Sequence, residues 1–185
     1  MKTIIKTRTT VLVAMILSAS AWRLIFASGH TPLHNFTPIG AMALFGGCYF
    51  SDKWKAYLVP ILTLWLTDLA MNYFYFHQFM WFYDGFMWTY GAFALMVMVG
   101  TFIKKVNVGN VVLACIITAL LHYVITDLGV WLDGRMYPLN WQGFTACYVA
   151  AIPYLQKMLA SNLMFGGIMF GAFEFARKKY TVLAA

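Results

Sequence analysis

Charged side chains interrupt three long apolar segments of this 185-residue sequence, where they are costly to place. They are Arg23, Asp68 and Asp127. A charged group at the centre of a bilayer costs about 2.5–3.5 kcal/mol on insertion scales, so such groups usually face a helical bundle interior or a wet cavity. Asn72 lies one helical turn beyond Asp68, and His122 lies five residues before Asp127, so polar groups continue along both helices. These five residues are the first candidates for a ligand-binding site.

Two interpretations of these charges remain open, and both can hold together. Arg23 can pair with one aspartate as a structural tie between helices. Alternatively, the charges line a pocket that opens to the outside, where Arg23 holds an anionic or carbonyl group by paired hydrogen bonds. The aspartates would then accept hydrogen bonds from the ligand, or neutralise Arg23 when the pocket is empty.

The outer loops add Trp131 and Arg135 to the candidate ligand-binding residues, because they lie in a region rich in aromatic side chains. Such a region can form a stacking lid over a flat ligand. It can equally form the belt of aromatic anchors that marks a membrane interface.

The elements that must position these residues are membrane-spanning helices. The sequence is 62% hydrophobic and 10% charged, a balance that no water-soluble fold can bury. It predicts an all-α polytopic membrane protein with six transmembrane helices in one domain, residues 1–185. The approximate spans are 9–28, 38–50, 57–76, 85–103, 108–132 and 158–176. Pro138 and Pro153 predict a break before the last span, with a separate short helix near 143–152. This helix can lie in the membrane interface or fold back over the pocket as a gate.

The distribution of basic residues predicts the orientation. Ten of the thirteen Lys and Arg residues fall on one side of a six-span arrangement, which by the positive-inside rule places both termini in the cytoplasm. The predicted location is the inner (cytoplasmic) membrane, with the lipid bilayer as a partner. Because the basic residues flank apolar segments and form no continuous face, we expect no nucleic-acid binding. Ala19-Ser20-Ala21 also resembles a signal cleavage site, and cleavage there would leave five spans and an exported N-terminus.

The sequence favours binding over catalysis. It contains no Gly-x-Ser-x-Gly elbow, His-Glu-x-x-His helix, phosphate loop or dinucleotide-binding turn, so we expect neither an enzyme nor a cofactor. His30 and His34 have Pro32 between them, and we predict no metal site there. Leu66-Thr67-Asp68-Leu69 is echoed by Ile125-Thr126-Asp127-Leu128, a weak sign of internal duplication.

Several short motifs carry a resemblance to a known family over nearly the whole chain. They are Asn35-Phe36-Thr37-Pro38-Ile39-Gly40-Ala41, Leu44-Phe45-Gly46-Gly47, Met136-Tyr137-Pro138 and Ala150-Ala151-Ile152-Pro153. They resemble an uncharacterised bacterial family described as transport proteins. That family is in turn similar to the substrate-binding S components of energy-coupling factor (ECF) transporters, small six-helix proteins that capture a vitamin or metal ion from outside.

The resemblance implies a subunit that captures a small vitamin-like solute. It also implies two partners, a transmembrane coupling subunit and cytoplasmic ATPases. In S components two alanines four residues apart on the first helix help docking, and the nearest match here is Ala14 with Ser18. Two other hypotheses stay open. One is a structural or assembly subunit of a larger membrane complex, and the other is a membrane enzyme or proton-linked carrier in which Asp68 and Asp127 titrate.

Overall fold

The computed structural model describes residues 2–25 and 36–183, and these form six α-helices and one 3₁₀ helix. The helices are α1 Lys2–Ile25, α2 Ile39–Tyr49, α3 Lys53–Phe76, α4 Phe86–Thr101, α5 Val108–Leu132 and α6 Trp141–Lys179, and the 3₁₀ helix η1 is Thr181–Leu183. The predicted all-α class is confirmed. Each predicted span overlaps one helix, and the range predicted for α5 matches its bounds.

Within the described residues, three helices are long and apolar enough to cross a membrane: the Lys6–Ile25 part of α1, α5 and α6. A helix rises about 1.5 Å per residue, so roughly 20 residues cover the 30 Å hydrocarbon core of a bilayer. The apolar helices α2 and α4 have 11 and 16 residues, and are shorter than that thickness. The chain therefore has the apolar helices of a membrane protein.

The short helix α2 lies at the centre of the bundle. Ten of its eleven residues are buried, and it packs against α1, α3, α4, α5 and α6. A helix that is apolar on all sides belongs in such an interior. The Phe45 ring meets Phe170 and Phe173 of α6 edge-on, with ring centroids 5.6 Å apart in both pairs.

Glycine permits the close crossing of α2 and α4. A Cβ atom on Gly47 would lie 2.1 Å from the Val97 carbonyl oxygen and 3.0 Å from the Gly100 Cα. Both neighbours are backbone atoms, which a rotamer change cannot move away. The crossing therefore depends on the missing side chain.

We expect Gly47→Ala to lower the stability of the purified protein by about 1–3 kcal/mol, because the two helices must separate to admit the methyl group. Thermal unfolding in detergent measures the effect. Gly171→Ala on α6 is the matched control, because a Cβ atom there meets nothing within 4 Å. The control should be neutral or stabilising by up to about 1 kcal/mol. Equal melting temperatures for the two variants would contradict the α2–α4 contact.

Successive helices alternate in direction, so the bundle has two distinct ends. At one end, Arg8 of α1 donates to the carbonyl of Tyr49 at the close of α2, and the Tyr49 hydroxyl donates to Glu174 near the close of α6. We call this the basic end, because the helix termini and loops there carry most of the cations. Its described basic residues are Lys6, Arg8, Lys53, Lys55, Lys104, Lys105, Arg177, Lys178 and Lys179. The candidate ligand-binding residues lie toward the other end.

The break predicted at Pro153 is wrong, because α6 continues through it from Trp141 to Lys179. The helix begins at Asn140, whose side chain accepts a hydrogen bond from the Gly143 N–H at 2.8 Å. Contacts with α5 hold the first half of α6 in line. The Tyr123 hydroxyl donates to the Tyr148 carbonyl at 2.7 Å, for example. No separate gate helix exists at 143–152, and the last span is part of a helix about 58 Å long.

Candidate functional site

A buried ion pair joins the end of α1 to α3 and α4. Nη2 of Arg23 donates to Oδ1 of Asp68 at 2.8 Å, and Nη1 donates to the Thr67 hydroxyl at 2.7 Å. The Tyr90 hydroxyl donates to Oδ2 of Asp68 at 2.8 Å. The side chains of Arg23 and Asp68 are only 10% and 6% exposed. Both carboxylate oxygens of Asp68 are thus satisfied, as the structural interpretation requires.

The same arginine also borders two cavities. The first, the inner cavity, has a volume of about 300 Å³ between α1, α3, α5 and α6. The second, the outer cavity, is wider and measures about 800 Å³. The Nε atom of Arg23 is buried and has no hydrogen-bond partner among the described residues. This N–H of the guanidinium is therefore unsatisfied within the described residues.

Polar groups of α5 line the inner cavity together with Arg23. They are His122, Thr126 and Asp127. Within residues 36–183 and the described part of α1, the carboxylate of Asp127 and the imidazole of His122 have no hydrogen-bond or ion-pair partner. The cavity therefore combines a cation, a carboxylate and an imidazole, groups that can bind donors and acceptors of one small molecule.

Aromatic rings complete the wall of the inner cavity. Phe36, Tyr75, Tyr123 and Tyr154 contribute them. All four rings offer flat apolar surface. The hydroxyl of Tyr123 donates to the Tyr148 carbonyl, and aliphatic side chains such as Met71 and Leu155 share the wall.

Asn72 lies in the outer cavity with Arg23 and Asp68. Its Nδ2 donates to the Met80 carbonyl at 3.3 Å, which ties α3 to the loop that follows it. Asn72 therefore positions the rim of the outer cavity and does not line the inner one.

Trp131 and Arg135 line neither the inner nor the outer cavity. The indole of Trp131 donates to the Pro138 carbonyl at 3.1 Å, which fastens the loop between α5 and α6. Arg135 is exposed and pairs with Asp84 at 2.7 Å and Asp133 at 3.2 Å. The hydrogen bond to Asp84 raises the pKa of Arg135 above its ordinary value. Both predicted contacts thus hold loops together at the site end of the bundle.

The sequence predicts no metal site at His30 and His34. His30 and His34 lie outside the described residues. Among the residues that the structure does describe, no group of three His, Cys, Asp or Glu side chains could hold a metal ion.

Sequence reasoning missed several residues that complete the site. Thr67 and Tyr90 bind the ion pair, and Tyr123 and Tyr154 line the inner cavity. Thr67 lies in the repeated Thr-Asp motif, and this repeat could have identified it as a candidate site residue. Tyr90 carries one of the few hydroxyls in an apolar helix, but its partner becomes visible only when α3 and α4 are packed together.

The fold and the site together define a bundle of membrane-type apolar helices with a ligand-sized cavity between charged side chains. The chain belongs to DUF6580, a family of unknown function, whose sequence profile matches residues 3–183. No relative was found among curated proteins, and no solved structure matches the chain.

Proposed function

We propose that this chain is the solute-binding subunit of a bacterial membrane transporter, similar to an S component, and that it captures a small vitamin-like solute from the outer side. The observation that carries the proposal is the inner cavity, where a buried arginine shares the wall with a free carboxylate and an imidazole. Its volume of about 300 Å³ lies at the lower end of the range of small-molecule sites. A site of that size suits one compact solute.

The proposed topology has six membrane crossings with both termini in the cytoplasm. The basic end then faces the cytoplasm, in keeping with the positive-inside rule. The inner and outer cavities open toward the other side, where a solute arrives. The short helix α2 crosses only part of the bilayer, and its burial by its neighbours spares its ends from contact with lipid.

The lining defines the chemistry of the solute. The Arg23 guanidinium would donate to a carboxylate or carbonyl of the solute, and Asp127 would accept from an amine, amide or hydroxyl group. The tyrosine rings would stack on a planar part of the molecule. Asp68 would bind no ligand directly but would hold the guanidinium in place.

Release into the cell would require partners, in this proposal a transmembrane coupling subunit and cytoplasmic ATPases. The chain has no phosphate loop with which to bind a nucleotide. A docking face is available on α1, where Ala14 and Ser18 are both exposed. The Ser18 hydroxyl donates to the Ala14 carbonyl of its own helix at 2.8 Å, which leaves a smooth surface for another helix.

Native mass spectrometry of the full-length protein, purified gently from its source membrane, tests the proposal. We expect a small molecule bound one to one, which can be released and identified. An empty chain that co-purifies with a fixed set of membrane subunits would refute solute capture and favour the structural or assembly subunit.

A proton-linked carrier is a second candidate, favoured by the Asp127 carboxylate that faces the inner cavity. Arg23 and Tyr90 occupy both carboxylate oxygens of Asp68, so this candidate function depends on Asp127. Flux driven by a pH gradient in liposomes that contain this chain alone, and lost in Asp127→Asn, would support the carrier over the binding subunit.

A further inference from the structure

A separate polar cavity lies at the basic end, on the opposite side of the bundle from Arg23. It has a volume of about 200 Å³ and is formed where α1 passes the junction between α2 and α3. Its lining consists of Arg8, Thr9, Leu12, Tyr49, Phe50, Ser51, Asp52 and Lys55. Two cations face one carboxylate, so the lining carries a net positive charge.

Hydrogen bonds fix the donors around this cavity. Nη2 of Arg8 donates to the Tyr49 carbonyl at 3.0 Å, which holds the guanidinium at the end of α2. The ammonium group of Lys55 pairs with the carboxylate of Asp52. Thr9 and Ser51 add hydroxyl donors. Two cationic groups and two hydroxyls around a small space are the donors that a phosphate group requires.

An apolar ridge on α3 starts beside this cavity. Nζ of Lys55 lies 5.3 Å from the centroid of the Trp54 ring, and Trp54 is 63% exposed. Leu58, Leu62 and Leu66 follow at intervals of four residues and are 49%, 44% and 50% exposed. The ridge is about 18 Å long, close to the thickness of one leaflet of hydrocarbon. It has the length and chemistry to contact one acyl chain.

We propose that the cavity at Arg8 and Lys55 binds the phosphate of an anionic glycerophospholipid, whose acyl chain lies along the ridge from Trp54 to Leu66. Basic groups near the cytoplasmic surface attract anionic headgroups, and a tryptophan at this depth marks the interface. Inorganic phosphate offers the same charged group but has no acyl chain that could contact the ridge. The ridge is therefore the observation that selects the lipid.

The test is native mass spectrometry of the full-length protein in detergent, titrated in parallel with dioleoylphosphatidylglycerol, dioleoylphosphatidylcholine and inorganic phosphate. We expect the anionic lipid to bind about tenfold more tightly than the zwitterionic one, and inorganic phosphate to bind weakly. Arg8→Gln and Lys55→Gln should each weaken binding of the anionic lipid about tenfold, through loss of one charge-assisted contact. Lys104→Gln is the matched control, because it removes an exposed charge at the same end outside the cavity.

Each other outcome would overturn the proposal. Equal binding of the two lipids, or an equal loss in Lys104→Gln, would mean that net charge alone attracts lipid. Tight binding of inorganic phosphate would assign the cavity to a soluble anion. If Arg8→Gln fails to fold, Lys55→Gln still decides the matter, because it leaves the bond between Arg8 and Tyr49 in place. Unchanged lipid binding in a folded Lys55→Gln protein would refute the site.

Discussion

Asp68→Asn is expected to lower the free energy of unfolding by about 3–5 kcal/mol, the largest effect on stability that the site predicts. The substitution keeps the shape of the side chain but removes the countercharge of a buried guanidinium, and breaking a buried pair on one side typically costs this much. The Arg23 side chain is only 10% exposed, so solvent in the cavities replaces the lost countercharge only in part. The Tyr90 hydroxyl would also lose a charged acceptor.

Thermal or denaturant unfolding of the purified protein in detergent measures this effect. Asp84→Asn is the matched control, because Asp84 and Arg135 form a pair of similar length whose side chains are 85% and 66% exposed. An exposed pair contributes about 1 kcal/mol or less. The double variant Arg23→Met with Asp68→Leu should recover most of the lost stability, because it removes both charges. If Asp68→Asn were no more harmful than Asp84→Asn, the pair would not be buried as described.

The class of fold could be predicted from the sequence because hydropathy is a local property. The apolar segments gave the approximate place of each helix, and α5 was predicted best because turn residues flank it on both sides. The prediction was wrong at Pro153. Proline usually breaks a helix, but here contacts with α5 keep the two halves of α6 continuous. The hydrogen bond from the Tyr123 hydroxyl to the Tyr148 carbonyl joins α5 to α6. Such a contact between helices cannot be read from the local sequence around Pro153.

The charged part of the site could also be predicted, because a charged side chain in an apolar segment is costly and is usually found at a buried pair or a functional site. This argument identified Arg23, Asp68 and Asp127 without structural information. It could not identify Tyr90, since placing a tyrosine in an apolar helix costs little free energy and does not indicate a specific partner. It also placed Arg135 among the ligand contacts from loop composition, and could not foresee that this side chain pairs with Asp84 and Asp133. Composition gives a residue's neighbourhood but not the direction of its side chain.

The repeated Thr-Asp motif shows how equal sequences acquire different roles. The copies place Asp68 on α3 and Asp127 on α5, both toward the same end of the bundle. Asp68 is buried against Arg23 and Tyr90, so both of its oxygens are occupied. Asp127 lines the inner cavity, and its carboxylate has no partner within the described residues. The Asp68 carboxylate therefore stabilises the fold, whereas the Asp127 carboxylate can bind the proposed solute.

This difference leads to the largest expected effect on binding: Asp127→Asn should reduce solute affinity about ten- to hundredfold while leaving thermal stability unchanged. The estimate follows from the loss of one charged hydrogen bond, about 1.5–3 kcal/mol, at a group that supports no other contact. The fraction of purified protein that retains its co-purified solute in native mass spectrometry reports the change. Asp133→Asn serves as the control, because it removes a carboxylate that lies in the loop between α5 and α6 and pairs with Arg135.

The two aspartate variants together separate binding from folding. A loss of solute in Asp127→Asn without a fall in melting temperature assigns the carboxylate to the ligand. A parallel fall in melting temperature would instead mean that Asp127 stabilises the bundle, as Asp68 does. Full retention of solute in a folded Asp127→Asn protein would remove the inner cavity from the proposed binding site, because the solute would then be held without the one carboxylate that the cavity offers it.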